Sequence, residues 1–247
     1  SGTQGPWGNT PLYFLLGGFQ MSFSVGSGIR WLLEHGANPN IPSGPLGETA
    51  LYPAVRNGWD AEMISRLIRH GADPAVRRSD GRSVLALAVR MGRADIAQLL
   101  SNAGARDEVP VVDRFLGACL RADEPAARRF LARHPDLVRV LTPEECRLVH
   151  EVAKQGRADA LRLMGALGFD LAVTGDDGET ALHIAAWHGR AEAVAILLQA
   201  GVPLHLHDKR FDAPPIGWCE HGSLFCKNPE GEYATVAEAL FSAGSRL

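Results

Sequence analysis

The 247-residue chain is poor in several things. Its four cysteines, Cys119, Cys146, Cys219 and Cys226, form no CxxC pair and no regular framework. That argues against a disulfide scaffold and for a reducing, cytoplasmic compartment, with a secreted effector left open. No apolar run approaches 18 residues and no signal-peptide pattern is present, so no membrane span is expected. Lysine is scarce: Lys154, Lys209 and Lys227 stand among 25 basic residues, and with abundant alanine this arginine bias points to GC-rich coding sequence and a bacterial source. A formal net charge of -3 gives no overall pull towards nucleic acid. Low-complexity segments are missing, and no Ser-His-Asp, Cys-His or paired-carboxylate arrangement stands out above chance. The chain opens on Ser1-Gly2-Thr3 without a methionine, which reads as an excised or processed piece that could have lost a secretion signal.

What is present is organised around Asp177 to Val202, DGETALHIAAWHGRAEAVAILLQAGV, which reads as two short helices folded back on each other. Thr180 can cap the first helix, and His183 stands three residues on, where a polar side chain reaches back to the cap. Leu182, Ala185 and Ala186 form an inward stripe, and Gly189 ends the helix. Val194, Leu197 and Leu198 share one face of the second helix, closed by Gly201. A helix pair of this size cannot bury both apolar faces alone, so stacked neighbours are predicted. Gly36, Gly71, Gly104, Gly168, Gly201 and Gly244 each follow an apolar helical run, at intervals of 35, 33, 64, 33 and 43 residues.

Thr180-Ala181-Leu182-His183, Ala185, Ala186, Gly189 and Gly201 together resemble an ankyrin repeat, with its Thr-Pro-Leu-His start and Gly-Ala end at a period near 33. Thr10-Pro11-Leu12 and Thr49-Ala50-Leu51 carry the same start, and Ser83-Val84-Leu85 is a weaker copy. The resemblance implies an all-α solenoid of stacked helix-turn-helix units joined by β-hairpin-like loops. It forms one domain, 1–247, with approximate units 8–40, 47–77, 81–109, 113–140, 142–175, 178–209 and 213–247. In the first unit Gly17-Gly18 and Gly26-Ser27-Gly28 read as a surface insertion. In the fourth, Asp123 replaces the glycine after the first helix and His134-Pro135 replaces the Gly-Ala end, so a weak point is expected there. The fifth opens on the capping box Thr142-Pro143-Glu144-Glu145, with a long first helix reaching Gly156. The seventh starts at Pro214-Pro215-Ile216 and carries about ten extra residues around Ser223 to Glu232.

The family also implies a concave face built from hairpin tips and first helices, on which a partner protein is bound. The seventh residue after each helix start would face it: Arg56, Arg90, Arg121, Lys154, Trp187 and His221. Asn57, Met91, Ala122, Gln155, His188 and Gly222 come next. A row of cations ending at a tryptophan suits an acidic protein partner, with no nucleic acid, membrane or cofactor and with the chain a monomer. Trp59 is carried as a further contact, although Trp31, Trp59 and Trp218 fall at other phases, where packing is the plain expectation. His183 reads as a structural lock, and His35, His70 and His134 read as helix-end residues. The reading from another class is an enzyme or metal-binding protein using the irregular last unit, where His205, His207, Cys219, His221 and Cys226 gather. Their spacings match no standard zinc pattern, and Cys219 and Cys119 occupy positions of small buried fillers. Asp176-Asp177-Gly178 lacks the later ligands of a calcium loop.

Overall fold

The computed structural model describes residues 10–17, 23–106, 109–226 and 228–245. Among these every regular element is a helix, and the hairpin-like loops close on isolated antiparallel bridges, Ser43 with Glu48, Arg77 with Ser83 and Thr174 with Thr180. The chain divides into two compact units, residues up to Ala118 and residues from Cys119, and each is described by itself.

In the unit up to Ala118, α1 (Pro11–Gly17) pairs with α2 (Phe23–Glu34), α3 (Leu51–Arg56) with α4 (Ala61–Arg69), and α5 (Val84–Arg90) with α6 (Ala94–Asn102). α1, α3 and α5 pack in sequence, as do α4 and α6. Capping sets the starts: the Asp60 carboxylate accepts from Met63 N–H at 2.8 Å and the Ser83 hydroxyl from Ala86 N–H at 3.1 Å. α4 shows why the pairs must stack, because Met63, Ile64 and Leu67 are buried while Glu62, Arg66 and Arg69 form an ion-paired outer face. Leu12, Leu16, Ile29, Leu51, Ile64, Leu67, Ile96 and Leu100 make one continuous core. Each such side chain is worth about 1.5–3 kcal/mol on burial. Gly26 and Gly28 lie inside α2, so the expected interruption there is helix; Gly18 lies outside the described residues.

α7 (Val111–Leu120) contains the dividing position. From Cys119 on come α8 (Glu124–Arg133), the single turn α9 (Pro143–Cys146), α10 (Leu148–Lys154), α11 (Ala158–Ala166), α12 (Ala181–Trp187), α13 (Ala191–Gln199), α14 (Pro215–Phe225) and α15 (Tyr233–Ser242). α10, α12 and α14 form one row and α11, α13 and α15 the other.

Two sequence expectations are corrected here. In the fourth repeat Ala122, not Asp123, takes the glycine's place. Ala122 holds φ 54, beside 68 for Gly156 and 63 for Gly189, while Asp123 caps α8 through Ala126 N–H at 3.0 Å. In the fifth, the capping box on Thr142 belongs to α9 alone, and the first helix of the pair starts afresh at Leu148.

The locks between helix start and following hairpin are made by two chemistries. His183 Nδ1 accepts from Thr180 N–H at 3.1 Å, and its Nε2 lies 3.0 Å from Leu206 O. His150 Nε2 lies 2.8 Å from Val173 O. In the other unit the corresponding position in Thr49-Ala50-Leu51-Tyr52 is a phenol, whose hydroxyl reaches Val76 O at 2.9 Å and Arg82 O at 2.8 Å.

Candidate partner-binding face

The expected cations meet different surroundings in the two units. Up to Ala118, Arg56 pairs with Glu48, a carboxylate only 3% exposed that also accepts from Tyr13 Oη at 2.8 Å and Arg78 Nη1 at 3.2 Å. Burial pushes the Glu48 carboxyl upward, but Tyr13, Arg56 and Arg78 outweigh it and hold the group below its usual range. Arg90 is itself buried, with Nη1 3.5 Å from the fully buried Asp113, and Arg82 Nε lies 3.8 Å from the same carboxylate. Asn57, exposed, and Trp59, half-buried, are both tied to the first pair: Asn57 Nδ2 donates to Leu16 O at 3.1 Å and Trp59 Nε1 donates to the same carbonyl at 3.2 Å. Met91 caps the C-terminus of α5 and is half-buried. Arg90 is thus buried in the stack, while Arg56 and Asn57 keep an exposed side.

From Cys119 on, Lys154 closes α10, Trp187 closes α12 and His221 lies in α14, so adjacent first helices carry them. Lys154 Nζ stands 3.8 Å from Glu151, with its side chain 42% exposed, and Gln155 donates to the same Glu151 at 2.7 Å. Arg121 lies one place further along its repeat than expected, because Ala122 occupies the glycine position. It reaches Asp123 at 4.0 Å and borders a cleft of about 430 Å³ with Gly156, Arg157 and Glu192.

Trp187 is half-buried, its ring edge-on to Trp218 at 5.7 Å and 71°. Trp218 is in turn edge-on to Phe211 at 5.7 Å and 75°, and the Arg210 guanidinium lies 5.0 Å from the Phe211 ring centre. These spacings suit favourable aromatic and cation–π contacts. Asp208 holds the chain in this shape. Its buried carboxylate accepts from Trp218 Nε1, Arg210 N–H and Phe211 N–H, each at 2.8 Å. Burial raises its pKa, but these donors win and keep it below the usual range. Phe211 is thereby fixed at a hairpin tip while 51% exposed.

The remaining expected residues are not gathered into one centre. His205 is exposed, and His207 Nδ1 turns to Asp212, 2.8 Å from its carbonyl oxygen. Cys219 is buried, with its thiol 3.5 Å from Tyr233 O and pushed up to about 11 by burial. His221 Nδ1 lies 3.1 Å from Gly217 O, and its ring stacks on Phe225. Cys226 meets His188 instead, Sγ to Nδ1 3.2 Å. Among the described residues no group of three or more histidine, cysteine or carboxylate side chains is placed to hold a metal.

Reading the sequence alone missed Arg210, Phe211 and the role of Trp218. The available signal was a phenylalanine in Asp208-Lys209-Arg210-Phe211, at a hairpin tip where the other units place turn residues. It also missed a recurrent stitch, in which the arginine before α6, α11 and α13 donates to a carbonyl of the preceding repeat. Arg93 reaches Trp59 O at 3.0 Å, Arg190 reaches Lys154 O at 3.1 Å, and Arg157 reaches Leu120 O.

Residues 21–110 and 116–208 each match a family model described as ankyrin repeats (3 copies). Human SH3 and multiple ankyrin repeat domains protein 2 is 26% identical over 179 residues, covering 70% of this chain and 10% of that protein. An ankyrin repeat protein of Fowlpox virus, FPV232, is 33% identical over 91 residues, covering 36% of this chain and 18% of that one. Human 2-5A-dependent ribonuclease is 38% identical over 64 residues, 26% of this chain and 8% of that protein. The chain spans a quarter or less of the length of the curated relatives it matches. Among solved structures the human ASB11 ankyrin repeat domain aligns with 97% of this chain and all of its own, at 18% identity and a TM-score of 0.42.

Proposed function

Because the chain belongs to the ankyrin-repeat family, whose repeats are protein–protein interaction modules, we propose that it binds another protein through the Trp187, Trp218 and Phe211 face. The observation that supports this is a phenylalanine, Phe211, held 51% exposed at a hairpin tip and backed by the half-buried rings of Trp218 and Trp187. Arg210 on the outer ring, with Lys154 and Arg121 on the helix ends, gives the face a cationic rim. The partner is accordingly an acidic protein segment carrying an apolar anchor. The four cysteines are all free, which fits a cytoplasmic protein, and the arginine bias fits a bacterial one. A monomer that binds and does not turn over a substrate completes the reading.

Capture from an extract of the source organism tests it, with the wild-type chain beside a Phe211→Ala, Arg210→Glu double variant. The wild type retains a defined acidic protein that the double variant loses, and raising the salt weakens the capture. Equal retention by both chains refutes the assignment of this face.

A further inference from the structure

Of the three stitching arginines, two have a carboxylate beside them. Arg93 Nε lies 3.5 Å from Asp95, and Arg190 Nη1 lies 3.9 Å from Glu230. Arg157 has none: among the described residues its guanidinium meets only Leu120 O. The cause is Arg162. Asp159 stands two residues after Arg157, as Asp95 stands two after Arg93, but it is drawn to Arg162 Nη1 at 3.0 Å, and Glu192 is drawn to Arg162 Nη2 at 2.6 Å. Both carboxylates are thereby neutralised at a guanidinium that is itself 52% exposed.

Arg157 is half-buried, and burial lowers its pKa with no acid to offset the effect. A desolvated cation without a counter-charge is unfavourable. Arg157 lines the cleft of about 430 Å³ together with Arg121, which is exposed and reaches Asp123 only at 4.0 Å. We propose that this cleft binds a phosphate monoester, gripped by Arg157 on its wall and Arg121 at its rim.

Guanidinium groups match phosphate oxygens through paired N–H donors, and a monoester carries close to two negative charges at neutral pH, enough to offset both arginines. A carboxylate brings a single charge. The cleft is of the size of small-molecule sites, so the organic group that bears the phosphate has room beside it. That group is a phosphorylated side chain of another protein or a nucleoside, and the chemistry that recognises the phosphate is the same for both. The site does not depend on the partner proposed above.

O-phosphoserine and adenosine monophosphate, one for each source, are titrated into the full chain while the arginine Nε–H signals are followed by NMR, with glutamate as the carboxylate reference. The Arg157 and Arg121 signals shift saturably with one or both esters and stay in place with glutamate. Tighter binding of O-phosphoserine identifies a phosphorylated protein as the source, and tighter binding of adenosine monophosphate a nucleotide. Arg121→Gln weakens the binding by about 10-fold or more, the loss of one charge-assisted hydrogen bond. Arg162→Gln weakens it by a similar factor without touching the ligand, because it frees Asp159 and Glu192 to pair with Arg157. An Arg157 signal that neither ester moves overturns the proposal. So does a response to glutamate equal to that to the esters, or an unchanged affinity in Arg121→Gln. Arg157→Gln also removes the Leu120 contact; should that variant fail to fold, the two exposed arginines decide.

Discussion

Arg90 and Lys154 occupy the same place in their repeats and have opposite fates. Up to Ala118 the cation at the end of the first helix meets a buried carboxylate: Arg90 is itself buried against Asp113, and Arg56 pairs with nearly buried Glu48 while its own side chain stays 44% exposed. From Cys119 on, Lys154 stands 3.8 Å from a half-exposed Glu151. A cation's phase therefore says where it starts, and a carboxylate contributed elsewhere decides whether it reaches solvent. Arg90 is buried by its carboxylate, whereas Lys154, beside a half-exposed one, keeps 42% of its side chain in solvent.

The sharpest way to break this comparison is Asp113→Ala. It strands a buried guanidinium and should cost about 3–5 kcal/mol of stability in urea unfolding, as removal of one partner from a buried pair does. Glu151→Ala, the matching change in the other unit, should stay within about 0.5 kcal/mol. Similar losses for the two would erase the distinction.

The locks provide a test of intermediate size. His183→Ala leaves the Leu206 carbonyl without its donor and should cost about 1–3 kcal/mol. Acid should act unevenly as well. Burial lowers the pKa of His183 and His150 below the ordinary value near 6.5, so the unfolded chain binds these protons more readily. The stability they confer is whole above about pH 6.5 and is lost as the pH falls towards their folded values. Tyr52 does the same work with a pKa pushed up to about 12, and Glu48, held below its usual range, gives way only below about pH 4.3. Hydrogen exchange at pH 5 and 7.5 should show the unit from Cys119 loosening first. Uniform loss of protection would contradict this.

The smallest effect is expected from Arg121→Glu with Lys154→Glu, which should move stability by no more than about 0.5 kcal/mol while weakening capture of the partner. Trp187→Ala is a poorer probe, because Trp187 is half-buried against Trp218 and its loss disturbs the unit as well as the face.

The repeats themselves were legible in the sequence, since Thr180-Ala181-Leu182-His183 and the phased glycines encode local events: a cap, an apolar stripe, a helix end. The fifth unit misled because the Thr142 capping box marks where a helix begins and carries no information on where it stops. Arg90 misled because its partner lies 23 residues away, beyond any pattern along one helix. Phe211 was missed because its exposure depends on Asp208 gathering four donors, one of them Trp218 ten residues on, an arrangement that turn chemistry alone does not express.

The last helix pair is seated where two stretches of bare backbone meet. A methyl group at Gly222 would come within 2.2 Å of Trp187 O, and one at Gly189 within 2.7 Å of Gly231 Cα. Neither obstacle is the movable tip of a side chain, so even alanine at either position would pry α14 or the insertion off its neighbour. The aromatic row and the Cys226–His188 contact both straddle that seam. Both thus owe their assembly to two missing carbon atoms, and a single codon change there would displace them together without altering any residue that forms them.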